Sequence, residues 1–151
     1  MIEKITFSMQ NIFQLADIEK ECFGKDAWTI NNLRAEFCNE FSHFFAATFN
    51  GKIVGYVCVR LMYEEAQICN ICVANKYRRQ GYASKLLEQV AVFAAENGCE
   101  RCELEVNVAN TPAVELYKKC GYDIAGTRPN FYRRTRYSTR DAYTMVLQLS
   151  K

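Results

Sequence analysis

No apolar run in this chain approaches the roughly 20 residues that span a bilayer. Met1-Ile2-Glu3-Lys4 does not open a signal peptide, so the protein is expected to be soluble and cytoplasmic. Internal repeats and low-complexity linkers are absent, and 151 residues are expected to form one domain, 1–151. Excess charge is lacking as well. The net charge is +2, too small to argue nucleic-acid binding from the total. The only histidine, His43, falls at a helix–strand junction and suggests no role. No glycine is followed by Lys-Ser or Lys-Thr, and no G-x-G-x-x-G occurs. The P-loop and the dinucleotide fingerprint are thereby excluded.

What the chain does hold is apolar substance: 50% apolar and 13% aromatic residues, enough for a real core. Its charge is unevenly placed. Residues 128–140 carry Arg128, Arg133, Arg134, Arg136 and Arg140 and no acid. That segment reads either as a solvated hairpin or as a contact for an acidic partner or ribosomal RNA, which charge alone does not decide. Eight cysteines include two C-x-x-C pairs, Cys69/Cys72 and Cys99/Cys102. Cys69 to Cys72 looks like mid-strand, where residues three apart face opposite sides and do not grip one metal. Asn-Ile and Glu-Arg also lack the tight turn of a zinc knuckle. No metal is expected, and the cysteines read as small buried apolar residues.

Residues 2–7 alternate as a strand. Ser8 caps a helix to about Phe23, Gly24-Lys25-Asp26-Ala27 breaks it, and Thr29 caps a second. His43–Phe49 and Lys52–Met62 flank Asn50-Gly51, a strong hairpin signal. A further strand follows, Ala66 to Ala74. The run Arg78-Arg79-Gln80-Gly81-Tyr82-Ala83-Ser84 then joins that strand to an amphipathic helix, Lys85 to Asn97. A strand turning through a glycine loop into a helix aims unpaired N–H groups and the positive end of the helix dipole at one spot. Gly81 keeps side chains out of the way. The run is therefore a phosphate cradle, with Arg79, Gln80, Gly81, Tyr82, Ala83 and Ser84 supplying it. Arg101–Val106 is a strand, and Asn110 caps a short helix to Cys120 with Pro112 in its first turn. Tyr122–Thr127 and Asp141–Leu149 are the last strands. The expected class is α/β, a mixed sheet with helices on its faces, in the order β-α-α-β-β-β-α-β-α-β-β.

That order resembles the GCN5-related N-acetyltransferase (GNAT) fold over essentially the whole chain. The family's pyrophosphate motif, Arg/Gln-x-x-Gly-x-Gly/Ala, stands as Arg78-x-x-Gly81-x-Ala83. Several further segments resemble the bacterial ribosomal-protein-alanine N-acetyltransferase branch. They are Leu104-Glu105-Val106, Asn110, Ala113-Val114-Glu115-Leu116-Tyr117, Gly121-Tyr122, Ala27-Trp28, Asn130-Phe131-Tyr132 and Asp141-Ala142. The chain departs from that branch at Asn107, where Arg is usual, at Ala109, where Ser is usual, and at Ala27, where Pro is common.

The resemblance implies acetyl-CoA as co-substrate and splayed fourth and fifth strands. The splay would expose backbone groups of Ile71, Cys72 and Val73 to the pantetheine arm, as an added strand would use them. Asn110 is implied as a further cofactor contact. Glu105 is the implied base, acting through water, and Tyr117 the implied acid for the departing thiolate. Their plainer readings are a solvated strand carboxylate, with Glu103 on the same face, and a core tyrosine. Trp28 and Tyr132 are implied to border the acceptor. The implied acceptor is a protein N-terminus, the N-terminal alanine of a small-subunit ribosomal protein. An α-amine near 7.7–8 is partly neutral at physiological pH, whereas a lysine near 10.4 is not. The alternatives are a small-amine acetyltransferase, for a polyamine or an aminoglycoside, and a non-catalytic acyl-CoA module. Cys120 has no histidine nearby in sequence to activate it, so direct transfer is expected rather than an acyl-enzyme.

Overall fold

The computed structural model describes residues 1–133 and 135–149; Arg134 lies outside the described residues. β1 (Ile2–Ile5) leads into α1 (Met9–Phe23), whose cap Ser8 accepts the Asn11 N–H. A single 3₁₀ turn separates it from α2 (Ile30–Phe37). There Thr29 and Asn32 exchange bonds in a capping box, which fixes the helix start. β2 (Ser42–Phe49) and β3 (Lys52–Met62) form the expected hairpin. Asn50 and Gly51 both take positive φ, 52° and 76°, as a two-residue primed turn requires. β4 (Glu65–Val73), α3 (Tyr82–Glu96), β5 (Arg101–Asn107), α4 (Thr111–Lys119), β6 (Asp123–Arg128) and β7 (Ala142–Gln148) complete the order.

Among the described residues seven strands make one mixed sheet, ordered β1-β2-β3-β4-β5-β7-β6. Its two faces are buried by different helices. Ile12 and Leu15 of α1 and Leu33 of α2 pack with Phe44 and Tyr56 on one side. Leu86, Leu87 and Val90 of α3 and Val114 of α4 pack with Val57 and Leu104 on the other. Among the described residues no helix is long and apolar enough to cross a membrane.

Two irregularities of β4 create the site. β4 runs parallel to β5 but pairs with it only from Glu65 to Gln67. Beyond Gln67 the two strands part, as the family resemblance implied. Against β3, Cys58 pairs with Asn70 and Val59 with Ile68, so Cys69 is an inserted bulge residue. A bulge bends its strand and changes which face the following side chains take. This corrects the expectation that Cys69 and Cys72 face opposite sides. Both lie on the α1/α2 side, while Ile68, Ile71 and Val73 pack toward α3.

The ladder also decides which backbone groups stay free. Ala74 N–H donates to Val54 O at 2.8 Å, and Gly55 lies opposite Val73 and Tyr56 opposite Cys72. Antiparallel pairs alternate between bonded and unbonded. Cys72 therefore directs its N–H and C=O toward β3, and Ile71 and Val73 direct theirs into the gap.

Candidate active site

The gap between β4 and β5 opens into a cleft of about 1960 Å³. It is walled by the α1–α2 connection, the start of α3, α4, and the loop 129–141. The sites expected from sequence converge on it: Trp28, Ile71 to Val73, Arg79, Gly81 to Ser84, Glu105, Asn110, Tyr117 and Tyr132 all line it. Gln80 lies within the cradle loop beside it.

At one end is the cradle. Arg79 has φ 62° and Gly81, the N-cap of α3, has φ 85°. α3 thus begins at Tyr82, three residues before the start expected at Lys85, because a left-handed cap allows the helix to follow the loop at once. Among the described residues no protein acceptor takes the N–H of Arg79, Gln80 or Gly81. The N–H groups of Tyr82, Ala83 and Ser84 are first-turn groups without intrahelical acceptors. A Cβ built on Gly81 would meet no protein atom within 4 Å. The space in front of it is open, which suits a close-approaching anion. Arg78 is engaged within the protein. Its Nε donates to Val73 O at 3.0 Å and its Nη2 to Cys22 Sγ at 3.2 Å, bracing the end of β4 against α1. A hydrogen bond shared with Cys72, and after it the neighbouring Arg78 guanidinium, pull the Cys22 thiol down to about 7 against the effect of burial.

Further along, Ile71 N–H rests on its own neighbour, Asn70 Oδ1, at 3.1 Å, and Val73 O accepts from Arg78 and Cys22. These are bonds that a strand-like ligand can exchange. Asn110 caps α4 through Ala113 N–H at 3.3 Å while lining the cleft.

Across the gap from β4 lie Glu105 and Tyr117, the residues expected from the resemblance as base and acid. Glu105 sits two residues past the last β4–β5 pair, and its side chain is only 11% exposed. It accepts from Gln67 Nε2 at 3.1 Å and from Thr144 Oγ1 at 3.3 Å, with Arg128 Nε 3.9 Å away. Glu103 shares its face but lies at the closed end, opposite Gln67 and near Arg101, and does not line the cleft. Of the two carboxylates, geometry therefore singles out Glu105. Tyr117 is buried with a cleft-facing position, and burial together with Tyr132, Cys120 and Cys72 pushes its hydroxyl well up. It stays protonated at neutral pH and has a proton to give. Burial, with the Glu105 charge second, raises Tyr132 to about 12.

Two features escaped the sequence. Glu19, on α1, is completely buried among apolar residues. It accepts from the Trp28 N–H at 2.8 Å, from Tyr56 Oη and from Asn70 Nδ2. One carboxylate thus ties the cleft wall at Trp28 to the bulged strand. Asn107, one of the departures, is also buried, and its Nδ2 donates to Thr139 O at 2.8 Å and holds the arginine-rich loop over the cleft. The loop's arginines are partly engaged within the protein: Arg136 Nη1 donates to Cys22 O at 3.1 Å and Arg140 Nη2 to Asn130 Oδ1 at 3.3 Å.

A mixed sheet splayed beside an anion cradle, with a carboxylate and a protonated tyrosine across the gap, defines an acyl-CoA-dependent transferase. A profile of the acetyltransferase (GNAT) family matches residues 10–122, and the chain belongs to that family. It is an acetyl-CoA-dependent N-acetyltransferase. The chain is 31% identical over 125 residues to a putative ribosomal protein bS18-alanine N-acetyltransferase of Bacillus subtilis, covering 82% of each chain. It is 34% identical over 106 residues to the Escherichia coli ribosomal protein bS18-alanine N-acetyltransferase, covering 70% of this chain and 71% of that one. The crystal structure of the Escherichia coli ribosomal-protein-S18-alanine N-acetyltransferase superposes with a TM-score of 0.87 at 27% identity, over 100% of this chain and 96% of that one.

Gly81 gives a direct test of the cradle. Gly81→Ala is expected to weaken coenzyme A binding by about tenfold or more in calorimetry, since a left-handed alanine costs roughly 1–2 kcal/mol and adds a methyl at the ligand's approach. Gly98→Ala, at φ 84° with equally open space beyond α3, should leave that affinity unchanged.

Proposed function

We propose that the protein acetylates the α-amine of a protein N-terminus by direct transfer in a ternary complex, and that the acceptor is the N-terminal alanine of a small-subunit ribosomal protein. The cradle at residues 79–84 takes the pyrophosphate and the exposed edge of Ile71 and Val73 takes the pantetheine amides. Asn110 contributes from the start of α4. Acetyl-CoA supplies the acetyl group already activated as a thioester. Glu105 accepts the proton of the incoming amine through a water, and the Tyr117 hydroxyl protonates the departing thiolate. An α-amine, at about 7.7–8, asks little of such a base. Most of the acceleration then comes from orientation and from backbone donors aimed at the thioester oxygen.

The observation that supports a peptide acceptor is the aromatic wall at the acid–base end. Trp28, Phe131, Tyr132 and Tyr137 line the same cleft as Glu105, with Arg133 and Arg136 on the loop that carries the last three. An aminoglycoside or polyamine carries several positive charges and calls for several carboxylates, whereas this rim is aromatic and basic. The basic loop from Arg128 to Arg140 would meet the ribosome or its RNA beside the acceptor. Incubation with acetyl-CoA and a panel of N-terminal peptides, polyamines and aminoglycosides, read by mass spectrometry, tests the reading. Acetyl should appear on the α-amine of alanine-initiated peptides. Modification of the small amines alone would replace this function with the alternative.

A further inference from the structure

We propose that Glu36, Cys58 and Cys69 form a binding site for a soft divalent cation of the zinc type, on the α1/α2 side of the sheet. The three residues come from α2, β3 and β4, and one ligand atom of each lies within 4.8 Å of the others. Tetrahedral zinc, with bonds of about 2.3 Å to sulfur and 2.0–2.2 Å to oxygen, needs ligands about 3.5–3.8 Å apart. Small rotations of the side chains close that difference.

The bulge brings the set together. The bulge sets Cys69 and Asn70 both opposite Cys58, on the α1/α2 side. With it, both thiols point toward the carboxylate of Glu36. That carboxylate is already oriented: Arg60 Nε donates to Oε2 and Nη2 to Oε1, each at 2.8 Å, and Ser42 Oγ also donates to Oε2. Oε1 accepts one hydrogen bond among the described residues and keeps a lone pair for a metal. Hydrogen-bonded carboxylates of this kind are the usual metal-site arrangement. Charge balances as well. Two thiolates and a carboxylate against the Arg60 guanidinium leave two negative charges, which a divalent cation neutralises. Two sulfurs select a soft ion over magnesium or calcium. Cys69 is half-buried and lines the cleft, which gives a metal its way in.

Binding would tie α2, whose first turn walls the cleft at Thr29 and Asn32, to the bent part of β4. It involves neither Glu105 nor Tyr117, so its failure leaves the transferase reading intact.

The test uses the full, phosphine-reduced chain titrated with cobalt(II) as a probe. One equivalent should give thiolate-to-cobalt charge-transfer absorption, which zinc displaces. Cys69→Ser should abolish the band and Glu36→Gln should weaken cobalt binding at least tenfold, whereas Cys22→Ser should keep it. Cys58→Ser should also abolish it, but that site is fully buried. Cys69→Ser and Glu36→Gln, checked by thermal melts for an intact fold, therefore carry the decision. Absence of the band, its persistence in Cys69→Ser, or its loss in Cys22→Ser overturns the proposal.

Discussion

Glu105→Gln is expected to lower acceptor turnover at pH 7 by about 10²–10⁴-fold, the range of a general base. Coenzyme A affinity should stay close to that of the parent protein, because Glu105 lies at the far end of the cleft from the cradle. Glutamine preserves the volume and one oxygen for Gln67, and its amide can donate to the Thr144 hydroxyl, so the variant chiefly removes proton acceptance. The defect should shrink as pH rises through about 7.7–8, where the acceptor amine sheds its own proton. Tyr117→Phe should give a smaller loss without that recovery, since a hydroxyl that protonates the leaving thiolate matters at every pH. A steady-state pH series on both variants makes the comparison. Unchanged turnover of Glu105→Gln at pH 7 would remove the base from the mechanism.

Glu19→Ala is expected to destabilise the fold by about 3–5 kcal/mol in urea denaturation. The substitution takes the acceptor from the buried Tyr56 Oη and from the half-buried Trp28 N–H and Asn70 Nδ2, of which Asn70 keeps Tyr56 Oη as a partner. Each buried donor left without an acceptor costs about 1–3 kcal/mol. Burial raises the Glu19 carboxyl above its ordinary 4.5, against hydrogen bonds from Tyr56, the Trp28 N–H, Cys72 and Asn70 that pull it down. A raised acid makes the folded protein bind its proton more tightly than the unfolded chain does. Its contribution is complete below the ordinary value and is lost as pH rises through the elevated one. The stability difference between the parent and Glu19→Gln should therefore fall with rising pH across that window. A difference that is flat with pH would mean that Glu19 is not raised. Because Trp28 hangs from Glu19, acceptor KM should rise in Glu19→Ala more than coenzyme A affinity falls.

Most of the architecture was legible because its signals are local. Ser8, Thr29 and Asn110 each announce a helix start through their own side chains, and Asn50-Gly51 announces a hairpin through φ alone. The turn through Gly81 into α3 was legible for the same reason, since loop, glycine and helix are contiguous. The bulge at Cys69 was not. It is a property of the register between β3 and β4, and nothing in Gln67-Ile68-Cys69-Asn70 marks which residue is left unpaired. Parity counted along one strand therefore gave the wrong faces for Cys69 and Cys72, and the resemblance made Cys72 a backbone contact when its amide belongs to the ladder. Glu19 was hidden by its surroundings. A single acid in an apolar helix face looks like a solvated position until its three donors arrive from β3, β4 and the α2 approach. The choice between Glu103 and Glu105 needed the point at which β4 and β5 part.

The short seam between β4 and β5 has a further consequence. Within the sheet, among the described residues, three residue pairs join a four-stranded half to a three-stranded one. The nucleotide thioester proposed to lie along Ile71 and Val73 would act as the keystone of this arch, finishing a sheet that the polypeptide leaves open. Loading should then slow amide deuterium uptake at the inner rims of both slabs together, and each release of spent coenzyme A should briefly loosen the whole molecule at its middle.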